Sequence, residues 1–215
     1  MSEARETPTA PTARVAHVEV PRTARYHALG AADAREVWVG LHGYGQLAGH
    51  FVKHLTPLAA AGADRLVVAP EALSRFYLAG DGSHAAARVG ATWMTREDRE
   101  AEIADYVRWL DRALDDATAG ACDAGRARLV VLGFSQGAVT ACRWLLHRRR
   151  AGRAPAARLI LWGGALPHDL DLAADGALLR ETPLVLVVGD ADEYATPAMV
   201  AEQESRLREA GVSYE

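Results

Sequence analysis

The stretch Gly133-Phe134-Ser135-Gln136-Gly137 decides the fold of this chain. It follows residues 128–132, whose apolar composition predicts a buried strand, and it precedes 138–146, whose composition predicts a helix. The two glycines have no side chains, so the strand and the helix can approach each other closely. The pattern predicts a strand, a sharp turn and a helix, with Ser135 exposed at the apex as a nucleophile. The alternative is a glycine-bordered turn whose serine only caps the helix.

Strand patterns and helix patterns alternate on both sides of this turn. Short apolar runs predict strands over 36–41, 65–70, 158–162 and 183–188. Apolar residues at helical spacing predict helices over 47–61, 97–117 and 197–210. This alternation favours an α/β fold with a mostly parallel sheet and helices on both faces.

The two ends of the chain add edge elements to this plan. Residues 15–20 carry apolar side chains at alternating positions and precede Pro21, which predicts an edge strand that pairs antiparallel with 26–29. Residues 212–215 have the composition of a final strand that is just beginning. We expect residues 1–14, rich in Thr, Pro and Ala, to form a flexible tail, and residues 15–215 to form a single domain.

The composition excludes several classes of protein. The net charge is −4, with acidic and basic residues interspersed, which argues against a nucleic-acid partner. The sequence shows no signal peptide and no apolar run of membrane-spanning length, so we expect a cytoplasmic protein without a transmembrane segment. Its two cysteines do not indicate a disulfide framework, and its histidines are not spaced as metal ligands. A homodimer is compatible with these properties.

Three predicted strands end in residues that carry chemistry, and the carboxyl ends of parallel strands meet at one edge of a sheet. At the first, Ser135 is followed by Gln136, whose backbone N–H can stabilise an oxyanion. At the second, residues 42–45 (His-Gly-Tyr-Gly) offer the N–H of Tyr44 as another oxyanion donor. At the third, residues 189–192 contain two aspartates that can orient a general base. We therefore expect one site assembled from all three.

Residues 41–45, 133–138 and 189–192 together resemble the phospholipase/carboxylesterase family of α/β-hydrolases, which includes the acyl-protein thioesterases. The resemblance implies the α/β-hydrolase fold and a Ser-Asp-His triad that needs no metal and no cofactor. It implies hydrolysis of carboxylic esters with short or medium acyl chains, or of acyl thioesters, through an acyl-enzyme on Ser135. The family's Gly-x-x-Asp pattern selects Asp192 over Asp190 as the triad acid.

The chain departs from this family at the histidine. The resemblance places the triad histidine after the acid and beyond a final strand, but the last histidine in the chain is His168. We expect the triad histidine to lie beyond Glu215. The alternative is a non-catalytic, hydrolase-like binding protein that holds an acylated ligand. We expect His168 to be a surface-loop residue and His42 to be structural.

Aromatic and apolar residues in and near the long segment 71–95 are candidates for a substrate pocket. The alternative is that they attach this segment to the body of the protein. The predicted pocket residues are Leu47, Phe76, Tyr77, Leu78, Trp93, Met94 and Leu166.

An NAD(P)-dependent oxidoreductase is a remote alternative. Residues 43–48 fit the pattern G-x-G-x-x-A between a predicted strand and a predicted helix, and Glu71 lies beyond the next strand, where a ribose partner is found. This reading leaves the turn around Ser135 unexplained.

Overall fold

The computed structural model describes residues 13–78, 87–190, 192 and 195–215. Most of the predicted tail, part of the segment 71–95 and the immediate neighbours of Asp192 therefore lie outside the described residues. Within the described part, the strands are β1 (Tyr26–Leu29), β2 (Glu36–Leu41), β3 (Arg65–Pro70), β4 (Ser74–Tyr77), β5 (Val89–Thr92), β6 (Arg128–Phe134), β7 (Arg158–Trp162) and β8 (Leu184–Val187). The helices are α1 (Ala48–His54), α2 (Thr56–Ala60), α3 (Arg99–Thr118), α4 (Gln136–Arg150), α5 (Leu172–Arg180) and α6 (Pro197–Glu209).

Six strands form the main sheet in the order β1-β3-β2-β6-β7-β8. Strand β1 is antiparallel to β3, and the other neighbouring pairs are parallel. The register pairs Leu41 with Gly133, and Phe134 with Trp162. Strand β6, which leads to Ser135, therefore lies between the strands that lead to the residue 42–45 loop and to Gly163.

Helices cover both faces of the sheet, as the sequence predicts. The larger core lies on the face covered by α3 and α4, and it buries Leu110, Leu145 and Leu161. The other face carries α1 and α2, whose Phe51 and Leu55 pack with Val67 and Leu132. The alternating strand and helix patterns thus gave the correct fold class, and the predicted helix 47–61 is divided into two short helices.

The predicted edge strand at 15–20 is wrong. Residues 13–25 have no regular secondary structure, and β1 pairs with β3. The side chains of Val15, Val18 and Val20 are 86%, 83% and 74% exposed. Because no buried face receives these valines, their alternation has no packing energy to fix a strand. Polar contacts of this segment reach α3 and its N-terminal end: His17 Nε2 is 2.8 Å from Asp98, and Glu19 pairs with Arg108.

Two further parts of the fold matter for the site: a separate two-stranded sheet and the β8 edge of the main sheet. The segment 71–95, in which the sequence shows no pattern, contains the antiparallel pair β4 and β5. At the β8 edge of the main sheet, Tyr214 forms a parallel bridge with Leu184, and the Glu215 N–H donates to the Leu184 carbonyl. The strand predicted to begin at 212–215 therefore lies beside β8.

Candidate active site

Ser135 occupies a strained turn between β6 and α4. Its φ of 54° and ψ of −117° lie in a region that glycine adopts readily and that costs other residues about 1–3 kcal/mol. The Ser135 N–H donates to the Trp162 carbonyl at 2.9 Å, and the Ser135 carbonyl accepts from the Ala138 N–H at 2.9 Å. The Ser135 side chain makes no capping hydrogen bond to α4, so the interpretation of this serine as a helix cap is wrong.

The glycines on each side of Ser135 are required by close backbone approaches. A methyl group at Gly133 would lie 2.3 Å from the Gly137 carbonyl oxygen. A methyl group at Gly137 would lie 2.1 Å from the Leu41 carbonyl oxygen and 2.8 Å from that of His42. All three distances are far below van der Waals contact. The sequence pattern of two glycines around the serine therefore brings the turn directly against the end of β2.

The end of β7 extends this assembly toward Asp192. A methyl group at Gly164 would lie 2.6 Å from the Ser135 carbonyl oxygen, and one at Gly163 would lie 3.5 Å from Asp192 Oδ2. The Gly163 N–H donates to the carbonyl of Val187, the last residue of β8. The residues Gly163 and Gly164 thus lie between the serine turn and the Asp192 carboxylate. Sequence analysis gave them no role, although two glycines directly after a predicted strand were a usable signal.

Asp192 and Asp190 have different surroundings. The backbone N–H of Asp192 donates to the Gly189 carbonyl at 3.2 Å, which closes a turn. Asp190 is exposed, whereas Asp192 is partly buried and lies beside Gly163. This placement favours Asp192 as the acid near Ser135, and its role remains a prediction.

The two predicted oxyanion donors lie on either side of the close approach between β2 and α4. Gln136 is the first residue of α4, where a backbone N–H has no acceptor within the helix. The Tyr44 N–H donates to no acceptor within the described residues. Its peptide is nevertheless fixed, because the Gly43 carbonyl in the same peptide accepts from His42 Nδ1 at 2.8 Å and from the Gln46 N–H at 3.2 Å.

His42 is a buried structural residue, as the sequence analysis expected. Its Nδ1–H donates to the Gly43 carbonyl, and its Nε2 accepts from the Ala72 N–H at 3.1 Å. Both partners fix the neutral tautomer with the proton on Nδ1. Burial also lowers the pKa of the imidazole, more than the Gly43 carbonyl and the nearby Glu71 raise it. With both nitrogens engaged, His42 cannot accept the proton of Ser135.

The predicted pocket residues separate into two groups. Trp93 and Leu166 are only 2% and 1% exposed and belong to the main core, so the structure places them away from a pocket surface. The physical reason is that both side chains pack in the apolar core. The Trp93 indole N–H donates to the His42 carbonyl, and the Leu166 backbone N–H donates to Gln203. Trp93 and Leu166 therefore attach their segments to the body of the protein.

The other members lie at the surface or close to it. Phe76 packs against the 61% exposed Tyr44, with ring centroids 5.1 Å apart, and Tyr77 is 56% exposed. Leu47 and Leu78, together with Gly45, line a groove of about 470 Å³. Met94 is partly buried, and its Sδ accepts from Arg143. Phe76, Leu47 and Leu78 place apolar surface next to residues 44 and 45, and the contact of all these residues with a substrate remains a prediction.

The structure gives no support to dinucleotide binding at residues 43–48. The N–H groups of Gly43 and Gly45 already donate to Gln46 Oε1 and to the Ala91 carbonyl. The Glu71 carboxylate, proposed as the ribose partner, is fully buried and pairs with Arg25 and Arg75. Burial alone would raise the pKa of Glu71, but the two arginines hold it below its ordinary value. This carboxylate is therefore a buried structural anion.

Comparisons with solved structures show the same architecture. No protein-family model and no curated protein matches the chain. A carboxylesterase from Mesorhizobium loti is similar over 89% of this chain and 83% of its own, with 20% identity and a TM-score of 0.62. A phospholipase/carboxylesterase from Dyadobacter fermentans matches over 90% and 85%, with 19% identity and a TM-score of 0.59. Acyl-protein thioesterase 2 from Zea mays matches over 90% and 89%, also with 19% identity and a TM-score of 0.59.

The chain has the α/β-hydrolase fold. This confirms the fold class that the sequence predicts. Among the described residues no helix is both long and apolar enough to span a membrane. The same residues contain no cluster of three or more His, Cys, Asp or Glu side chains placed to hold a metal ion.

His168 lies in the loop after β7 and is exposed, as expected. The next residue, Asp169, ties this loop to the helices through hydrogen bonds from Arg99 of α3 and Arg143 of α4. Burial would raise the pKa of Asp169, but the two arginines lower it from 3.8 to about 2. Within the described residues, Ser135 Oγ receives no hydrogen bond from His168 or from any other histidine. The described residues thus place the strained Ser135 turn close to the ends of β2 and β7, and the roles of Asp192, Tyr44 and Gln136 remain predictions.

Proposed function

We propose that the protein is a serine hydrolase that cleaves carboxylic esters or acyl thioesters through an acyl-enzyme on Ser135. The observation that carries this proposal is the Ser135 turn itself. A non-glycine residue at φ 54° and ψ −117° is an unfavourable conformation, and the glycines around it are placed for close backbone contact. Such strain is expected where a reactive group must be presented, since a structural turn is met at lower cost by glycine.

The proposed mechanism assigns one role to each group. Ser135 Oγ attacks the acyl carbonyl, the alcohol or thiol leaves, and water then hydrolyses the acyl-enzyme. The N–H groups of Tyr44 and Gln136 stabilise the oxyanion, each worth about 3–4 kcal/mol in the transition state. The proton of Ser135 passes to a histidine outside the described residues, and Asp192 orients that histidine. No metal or cofactor takes part in this mechanism.

The proposed substrate has a short or medium acyl chain. Tyr44, Phe76, Leu47 and Leu78 support an apolar acyl group, because they provide apolar surface beside the proposed oxyanion donor. The chain length is the part of the proposal that the two p-nitrophenyl esters test. The hydrolases and thioesterases with similar structures support the reaction class. Neither observation distinguishes an oxygen ester from a thioester, so both substrates belong in the test.

The test is labelling of the full chain with a fluorophosphonate probe, together with hydrolysis of p-nitrophenyl acetate, p-nitrophenyl butyrate and the matching acyl thioesters. Rapid labelling that is lost in Ser135→Ala, with hydrolysis lost in parallel, is the expected result. Ser205→Ala is a matched control, because Ser205 lies in α6 and its hydroxyl donates to Glu209 in the same helix. A folded protein that is neither labelled nor active would overturn the proposal and favour the non-catalytic binding protein.

A further inference from the structure

We propose that the side chain of Gln136 is a positioning residue that holds the two oxyanion donors in register. This inference rests on the proposed function and deepens it. The backbone N–H of residue 136 can be supplied by almost any amino acid, so the oxyanion role does not explain a glutamine at this position. The contacts of its carboxamide do.

The Gln136 carboxamide binds three consecutive residues at the end of β5. Its Oε1 accepts from the Trp93 N–H at 3.1 Å, and its Nε2 donates to the Met94 carbonyl at 2.9 Å and to Thr92 Oγ1 at 3.0 Å. The single proton of Thr92 Oγ1 can then be donated to the Met94 carbonyl at 2.8 Å. This assignment uses both amide protons and the amide oxygen, so the loop 92–94 is attached to the first turn of α4.

The connection continues from this loop to the other donor. The Trp93 indole N–H donates to the His42 carbonyl at 2.8 Å, and the Trp93 and His42 rings pack with centroids 5.0 Å apart. The His42 ring in turn donates from Nδ1 to the Gly43 carbonyl, in the peptide that carries the Tyr44 N–H. A chain of hydrogen bonds and ring contacts therefore runs from Gln136 to the peptide of Tyr44.

Few side chains can replace Gln136 in this series of hydrogen bonds and ring contacts. Methionine has a similar length but makes none of the bonds, and glutamate keeps the acceptor for the Trp93 N–H while losing the donor for the Met94 carbonyl. In Gln136→Glu the carboxylate would also face that carbonyl oxygen. We therefore expect both substitutions to release the loop 92–94, and with it the Tyr44 peptide, from the α4 turn.

The expected effect falls on kcat. A misplacement of about 1 Å in a catalytic group costs about 100-fold in rate. We expect Gln136→Met to lower kcat about 10- to 100-fold per active site while KM changes less than threefold, because the oxyanion donors act in the transition state. Trp93→Phe removes the indole N–H and, because phenylalanine is smaller, also leaves a cavity at this buried position; it is expected to lower kcat as well. The kcat of the Gln136→Met, Trp93→Phe double variant should be about the same as that of the slower single variant, because both substitutions break the same connection.

Gln203→Met is the matched control for a merely structural role. Gln203 is buried and Gln136 is partly buried, and the Oε1 of Gln203 likewise accepts a backbone N–H, that of Leu166 at 2.7 Å. Each variant of the full chain is titrated with fluorophosphonate to count folded active sites, and kcat is expressed per titrated site. Gln203→Met is expected to lose thermal stability without loss of kcat per site. Gln136→Met is expected to lose kcat per site.

The outcomes separate the two proposals. Labelling of the unsubstituted protein with unchanged kcat per site in Gln136→Met overturns this inference and leaves the proposed function intact. Additive losses in the Gln136→Met, Trp93→Phe double variant overturn the connection through Trp93. Absence of labelling in the unsubstituted, folded protein overturns the proposed function, and this inference is rejected with it.

Discussion

Replacement of Ser135 by glycine should stabilise the protein while it abolishes the proposed activity. The wild-type residue has a φ of 54° and a ψ of −117°, and its side chain makes no capping bond that glycine would lose. Ser135→Ala is the appropriate partner variant, because it also removes the hydroxyl but keeps the Cβ atom that disfavours this conformation. The difference between the two variants isolates the backbone strain.

The magnitude follows from two opposing effects. Relief of the strained conformation is worth about 1–3 kcal/mol. Glycine also increases the conformational entropy of the unfolded chain, which costs about 0.4–1 kcal/mol. The midpoints of these ranges give a net gain of about 1.3 kcal/mol for Ser135→Gly over Ser135→Ala. For a chain of this size, that corresponds to a rise of about 3–5 °C in Tm.

The assay is urea unfolding of both variants, followed by tryptophan fluorescence, with Tm measured in parallel. Ala119→Gly provides a calibration, because Ala119 is an exposed C-cap residue with a φ of 46° and a ψ of 41°. Relief of that left-handed conformation is worth about 1–2 kcal/mol before the entropy cost. If Ser135→Gly is no more stable than Ser135→Ala while Ala119→Gly gains stability, the Ser135 turn is not strained and the reasoning fails.

Two further predictions concern the surroundings of this turn. Gly137→Ala is expected to lower the free energy of unfolding by about 3 kcal/mol or more and kcat by at least 100-fold, because its methyl group would lie 2.1 Å from the Leu41 carbonyl oxygen. Gly62→Ala is the control: a methyl group there would meet nothing within 4 Å, so its free energy of unfolding should stay within about 1 kcal/mol of wild type. Equal Tm values for these two alanine variants would contradict the close approach. Asp169 has a folded-state pKa of about 2 against 3.8, so its contribution is present above about pH 4 and is lost as pH falls toward about 2. Asp169→Asn should be less stable at neutral pH and show a flatter loss of unfolding free energy between pH 4 and 2. A parallel pH profile for wild type and variant would refute this.

The parts of the fold that the sequence predicted correctly are local. The strand, turn and helix around Ser135 occupy consecutive residues, and the apolar strands β2, β3 and β7 are bounded by glycine, proline or charged residues. Short-range rules were sufficient there. They failed at 15–20, where the alternation of valines met the strand rule but no layer of the fold covers that segment.

The pocket residues show a second limit of sequence reasoning. An aromatic residue in a polar segment has the same composition whether it lines a cavity or anchors a loop. The sequence predicts Trp93 as a pocket residue, but the structure buries its side chain. There the indole N–H donates to the His42 carbonyl, 51 residues away. The partner of a buried indole decides its role, and the partner is not visible in the local sequence.

The same limit explains why the sequence predicts two oxyanion donors but not the contacts that fix their peptides. Each predicted donor N–H belongs to a peptide whose carbonyl already accepts a hydrogen bond. In the peptide of the Tyr44 N–H, the Gly43 carbonyl accepts from the His42 ring. In the peptide of the Gln136 N–H, the Ser135 carbonyl accepts from the Ala138 N–H. A hydrogen bond at the carbonyl end polarises a peptide and strengthens its N–H as a donor. It also fixes the direction of that N–H before a substrate arrives, which is the condition for electrostatic stabilisation without reorganisation. The strained Ser135 turn is thus one half of a preorganised pair of peptides, and the bonds that maintain the pair join residues as far apart as 42 and 93.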